Sequence, residues 1–292
     1  MLLALLRSAA LPLVAALVLL APAGASAQAT AQSAAPSAAQ IAEVGPLIDA
    51  LGINELLPIM REEGLSYANE LASDMFPGRG GDRWEELADR IYDVDRMTDV
   101  MTREMAGDFD EGEIDPLLDF FTSELGRRIV RLEVSAREAL LEASVEEASE
   151  AALADMRANE DPRLDVLQGF VEANDLIESN VVGALNSNWA FYQGLDAGGA
   201  FDGALTEEEM LADVWGQEED IRTDTTEWVF SYLALAYQPL SDEEIGAYTG
   251  LSMTPAGATL NASLFAAFDT MFTMISRDLG LAAATFMAGE DI

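Results

Sequence analysis

The sequence predicts an all-α fold, two tandem helical repeats packed as one compact helical unit, on three observations. From Ile41 onward, apolar residues recur at every third or fourth position, the spacing that gathers them on one face of a helix. No convincing stretch alternates apolar and polar residues as a half-buried strand would. And one helix–corner–helix device is written twice, as "DFFTSELGRRIV" from Asp119 to Val130 and as "GLSMTPAGATLN" from Gly250 to Asn261.

The elements follow in chain order. Residues 1–27 carry one charge, Arg7, then an apolar run closed by Ala25-Ser26-Ala27, the small-x-small pattern of a cleavable export signal. The run is short for a membrane span, so the mature chain is expected to start near Gln28, to have no transmembrane segment and to be periplasmic or secreted. Residues 28–40, rich in Ala, Ser, Gln and Pro, read as a low-complexity tether. Ile91, Val94, Met97, Met101 and Met105 form an amphipathic stripe, and "LLDFF" sits in a short helix ending near Thr122. From Gly126 to Arg157 neither Gly nor Pro interrupts a stripe through Ile129, Leu132, Ala136, Leu140 and Ala143, so one long helix is expected. Residues 158–161 are a connecting turn. The helical pattern resumes after Pro162, breaks at a Gly-rich loop from Gly194 to Leu205, and restarts at Thr206, with Glu209 completing a capping box. The resulting units are residues 41–157 and 162–292.

A shift of 131 residues aligns the two copies of the device. Asp110 and Ser241 stand as N-caps, with Glu113 and Glu244 three residues on, where a carboxylate reaches back to the cap. Ser123 and Thr254 cap the following helix, and Pro255 takes its first position, where a missing N–H costs nothing. Gly126 and Gly257 lie in that helix's first turn. Glycine is a poor helix former, so close approach of the two helices at a tight corner is expected there. Further upstream, Trp84 falls on Trp215.

This pattern of acidic cap, Glu-Ile, aromatic short helix, Ser/Thr-x-x-Gly and long helix resembles the bacterial family catalogued as domain of unknown function 2059. The resemblance rests on "SELGRRIVRLE" and "PLSDEEIGAY", with "TPAGATLN" following. It implies an exported, all-helical protein and brings no agreed activity and no catalytic residues. Gly112 departs from the pattern, placing glycine inside the acidic turn.

Composition excludes several chemistries. The chain has no Cys, no His and no Lys, and all 15 basic residues are Arg. Disulfides, Ser-His-Asp triads, typical zinc sites and lysine Schiff bases are therefore absent. The formal net charge of −38 repels nucleic acid and anionic lipid, so neither is an expected partner. No cofactor is expected, and the reading leans away from an enzyme.

Four stretches remain as candidates. "DFDEGEID", Asp108 to Asp115, has part of a calcium-loop spacing, but Gly112 stands one position early and Asp119 occupies the twelfth position, so a helix N-terminus is the preferred reading. Asp93, Asp95, Glu85, Glu86 and Asp89 could supply paired acids for glycoside chemistry, which needs two carboxyls about 5–9 Å apart across a cleft. Arg127, Arg128, Arg131 and Arg137 could clamp an anion, or pair with Glu124, Glu133 and Glu138 at helical spacing. Asn188, Trp189, Phe191 and Tyr192, in "NSNWAFYQG", could line a ligand groove, with core packing as the plainer alternative. Together these features lead to an expected non-catalytic binding or adaptor protein for a periplasmic protein or peptide. The alternatives are a carboxylate-only hydrolase of cell-envelope glycans and a divalent-cation binder.

Overall fold

The helical periodicity becomes thirteen helices among the described residues, 36–110 and 112–289 of a computed structural model, which contain no strand. They are α1 (Ala38–Ala50), α2 (Ile53–Met75), α3 (Asp82–Ile91), α4 (Val94–Met105), α5 (Ile114–Phe121), α6 (Glu124–Ala139) and α7 (Ala143–Ala158). The second half adds α8 (Arg163–Ala173), α9 (Leu176–Ala197), α10 (Glu207–Trp215), α11 (Glu218–Ala236), α12 (Asp242–Ser252) and α13 (Pro255–Ala288). The expected export signal and most of the tether lie outside the described residues. The tether ends earlier than expected: Ser37 caps α1 in a capping box with Gln40, so residues 38–40 are helical.

The corner device is built as its residues dictate. Ser123 Oγ accepts from the Gly126 N–H, and Thr254 Oγ1 accepts from the Gly257 N–H, each at 3.0 Å. A Cβ on Gly126 would lie 2.1 Å from the Phe120 carbonyl oxygen, and one on Gly257 would lie 2.2 Å from that of Leu251. Both glycines are thus required by the previous helix's main chain. The helix entrances differ. Ser241 and Glu244 form a full capping box on α12. In the first copy, Gly112 has φ +88° and α5 begins only at Ile114. Asp110 is therefore not the N-cap, although Glu113 still reaches back to the Asp110 N–H at 2.9 Å.

Three further expectations are corrected. The helix drawn from Gly126 to Arg157 is two, α6 and α7, broken over residues 140–142. The break lets each half bury a different face. Ile129 and Ala136 of α6 are core residues, as is Leu153 of α7, and α7 packs on α11. The stripe Ile91–Met105 likewise crosses a helix boundary, with Asp93 capping α4 ahead of the fully buried Met97, Met101 and Met105. Gly194 begins no loop. It is buried inside α9, where a Cβ would meet the Arg277 carbonyl oxygen at 2.1 Å.

One contiguous apolar core runs from Val44 to Ala284 through both halves. Cross-packing explains this continuity. The second half's long helix α13 lies on α4 of the first half, and the first half's α6 lies on α11 of the second. At the junction Phe120 stacks on Tyr248 with ring centroids 5.6 Å apart. Helix α13 is 34 residues long and, by length and composition, apolar enough to cross a membrane. Its contacts with α9, α4, α3, α12, α5 and α2 account for that apolarity within the fold.

Candidate functional site: the cleft between α9 and α13

Helices α9 and α13 run parallel, as their rising sequence contacts show. Asn261 Nδ2 donates to the Asn174 carbonyl, Asn186 Nδ2 donates to Asp269 Oδ1, and Gly194 lies against Arg277. Toward their C-termini the backbones touch. A Cβ on Gly280 would stand 2.2 Å from the Phe191 carbonyl oxygen, the counterpart of the Gly194 contact. Nearer their N-termini, the α13 side chains Phe265, Phe268 and Phe272 share a cleft with the small Gly183, Ala184 and Ala266. A Cβ on Gly183 would find only Asp269 Oδ1, at 4.0 Å. Large residues on one helix and small ones on the other leave a cleft of about 300 Å³.

Its floor is aromatic and its rim is acidic. Phe268 and Phe272 stack at 6.0 Å and are buried, while Val182 on the margin is 46% exposed. Asp175, Glu178 and Asp269 supply the carboxylates. Burial raises the Asp269 pKa, and the Asn186 hydrogen bond at 2.9 Å opposes that rise. Burial and the nearby Glu178 raise that of Asp175, which holds a left-handed φ of +46°. Glu178 is paired with Arg222 of α11 at 2.8 Å. The arrangement suits an apolar side chain seated on the phenylalanines beside a cationic group facing the rim.

The candidates read from sequence fall elsewhere. Asn188, Phe191 and Tyr192 are buried in α9 and are not part of this cleft's lining. Asn188 Nδ2 donates to Gln217 Oε1 at 3.0 Å, and the Tyr192 hydroxyl donates to Asp213. Trp189 is partly buried against the same core. At 3.6 residues per turn these four neighbours spread around the helix, and most of α9's circumference is covered by α8, α10, α11 and α13.

Three of the candidate acids, Asp89, Asp93 and Asp108, meet protein partners. Asp93 caps α4 by accepting from the Arg96 N–H at 2.9 Å, and Asp89 pairs with Arg61 at 2.6 Å, so these side chains cap and pair helices. Asp108 Oδ2 accepts from the Ser263 hydroxyl at 2.7 Å. Among the described residues no group of three Asp or Glu side chains is placed to hold a metal ion.

Two of the arginines reach beyond α6. Arg128 reaches Glu244 of α12 at 2.7 Å. The buried Arg137 makes a two-pronged contact with Glu63 of α2, and its guanidinium sits 5.0 Å from the Trp228 ring centroid. One turn before it, Glu133 Oε1 accepts from the Tyr237 hydroxyl at 2.6 Å. Burial raises the Glu133 pKa from the ordinary 4.5 to about 8, against the lowering effect of that hydrogen bond. The Arg128–Glu244 and Glu133–Tyr237 contacts join the two halves, whereas Arg137 and Glu63 pair within the first.

Sequence reasoning missed the cleft. Its available signals were Phe265, Phe268 and Phe272 at helical spacing, with Asp269 set inside the same apolar helix.

The first corner, built from α5 and α6 and flanked by α4 and α7, decides the comparison with known proteins. Residues 95–155 match the bacterial family DUF2059. Its description, an uncharacterized protein conserved in bacteria, attaches no activity to the segment. The DUF2059 match takes in the corner formed by Ser123 and Gly126 and stops before the α9–α13 cleft. Neither the curated proteins nor the solved structures yield a match to the chain.

Proposed function

We propose that the chain is a non-catalytic binding protein of the bacterial cell envelope, exported on its N-terminal signal, that receives an apolar, positively charged segment of a partner protein between α9 and α13. One observation carries this reading: the cleft joins a phenylalanine floor to the carboxylates Asp175, Glu178 and Asp269. An apolar residue entering it gains by leaving water. A neighbouring arginine or lysine finds the half-buried Asp269, where attraction to a cation is less screened than in water, and the exposed Asp175 and Glu178 at the rim. The formal charge of −38 favours encounter with such a segment. The missing His, Cys and Lys argue against an enzyme, and two of the cleft's carboxylates, Glu178 and Asp269, are engaged by Arg222 and Asn186.

The test begins with a photo-cross-linking residue at the exposed Val182 in the native host and identification of the linked peptide. That peptide, synthesised, is then titrated against the wild type and Gly183→Leu, which fills open space. The reading expects binding to fall at least about tenfold in the variant with its melting temperature kept. Equal binding by both would overturn it. Mass spectrometry of the same material should find a chain starting near Gln28; an intact Met1 would overturn the export component.

A further inference from the structure

We infer that the exposed Leu211–Trp215 face of α10 is a second docking surface, for an arginine-bearing segment of a protein partner, separate from the α9–α13 cleft. The two tryptophans aligned by the 131-residue shift have opposite fates. Trp84 is 2% exposed, packs against Phe76 and Phe286, and donates its indole N–H to the Ala68 carbonyl at 3.0 Å. Trp215 is 61% exposed, and Leu211, one turn before it, is 38% exposed. Helix α10 holds itself to the core through Met210 and Val214, which are buried. The Leu211–Trp215 ridge lies beside that anchoring stripe and is surplus to it.

Charge selects the occupant. Glu207 and Glu208 are exposed on the same helix, and Glu219 is exposed in the first turn of α11, which follows Trp215 after two residues. An exposed indole beside carboxylates suits a guanidinium, which stacks on the ring while its N–H groups meet the acids. The chain already builds this arrangement internally, with Arg137 over Trp228 and paired to Glu63. A second copy of the chain is disfavoured by its charge of −38.

The probe is a synthetic amphipathic helical peptide with one arginine–leucine face, titrated calorimetrically into the full chain at about 0.15 M salt, where diffuse attraction is screened. The wild type should bind it. Trp215→Ala should weaken binding at least about tenfold with the melting temperature unchanged, and a peptide with citrulline for arginine should lose as much. Because the cleft would take a peptide of the same chemistry, the titrations are repeated on a Gly183→Leu background, where Trp215→Ala should still weaken binding, so the surface stands or falls apart from the cleft. Three results would overturn the proposal: no binding by the wild type, equal binding by Trp215→Ala, or protection of Trp215 from quenching by zwitterionic vesicles but not by the peptide. The last would assign the face to lipid.

Discussion

Arg128 donates to Glu244 at 2.7 Å, and the residues 131 positions from each, Thr259 and Glu113, make the corresponding contact at 3.1 Å. A residue of the first half reaches the second half's helix entrance, and its counterpart in the second half reaches the first half's. This exchange of partners ties each half's helix entrance to a helix of the other half. Each half supplies a carboxylate that reaches back to the main chain at its own helix entrance while binding the other half's long helix.

The corner glycines should be intolerant of any side chain. In Gly126→Ala or Gly257→Ala the new Cβ meets a carbonyl oxygen that cannot swing aside, and each change should cost about 3 kcal/mol in urea denaturation. Gly246→Ala, inside α12 with nothing within 4 Å, should instead gain about 0.5–1 kcal/mol. Similar losses at all three positions would mean that the corner imposes no special constraint.

The two helix entrances should respond differently to loss of their cap side chains. Ser241→Ala removes an oxygen that accepts from the Glu244 N–H at 3.2 Å and should cost about 1 kcal/mol. Asp110→Ala should change stability by less than about 0.5 kcal/mol, because Asp110 offers its main-chain N–H and α5 begins later. Chemical denaturation of the two variants makes the comparison.

Arg137→Ala should be among the most damaging single changes, costing about 3–5 kcal/mol, because it leaves the Glu63 carboxylate without its buried cation. Replacing both partners, as Arg137→Met with Glu63→Leu, should recover most of that loss. A double-mutant cycle read by thermal unfolding would reveal the coupling, and additive losses would refute it.

Glu133 should make stability fall as pH rises. With the carboxyl pKa raised from 4.5 to about 8, the folded chain holds a proton between those values that the unfolded chain has lost. Stability is then greatest below about 4.5 and declines until the folded group ionises near 8. Glu133→Gln, which keeps an acceptor for Tyr237, should lack this part of the slope. The stability difference between wild type and variant, measured at several pH values, isolates the effect from the other acids.

Local chemistry was legible wherever a residue's role depended on its near neighbours. The all-α class, the Ser123 and Thr254 caps and the need for glycine at 126 and 257 all follow from spacing and main-chain geometry. Failures arose where distant packing decides. The break over residues 140–142 contains no Gly or Pro and comes from α6 and α7 burying different faces. Arg128 and Arg137 had acidic neighbours at helical spacing yet reach across to Glu244 and Glu63. The cleft depends on which residues of α9 oppose Phe265, Phe268 and Phe272. Trp84 and Trp215 show the same limit, since equal places in a repeat do not guarantee equal burial.

Helix α13, the last helix among the described residues, packs on helices of both halves. Its seats on α9, α4 and α3 stay empty until α13 itself has followed them from the ribosome, so the halves cannot consolidate in order of their appearance. Assembly must close contacts between residues as far apart as Arg96 and Asp278, a topology that slows folding by its long loop closures. A chain interrupted before α13 would leave α9 stripped of its main support, so loss of this one helix should be felt throughout the molecule.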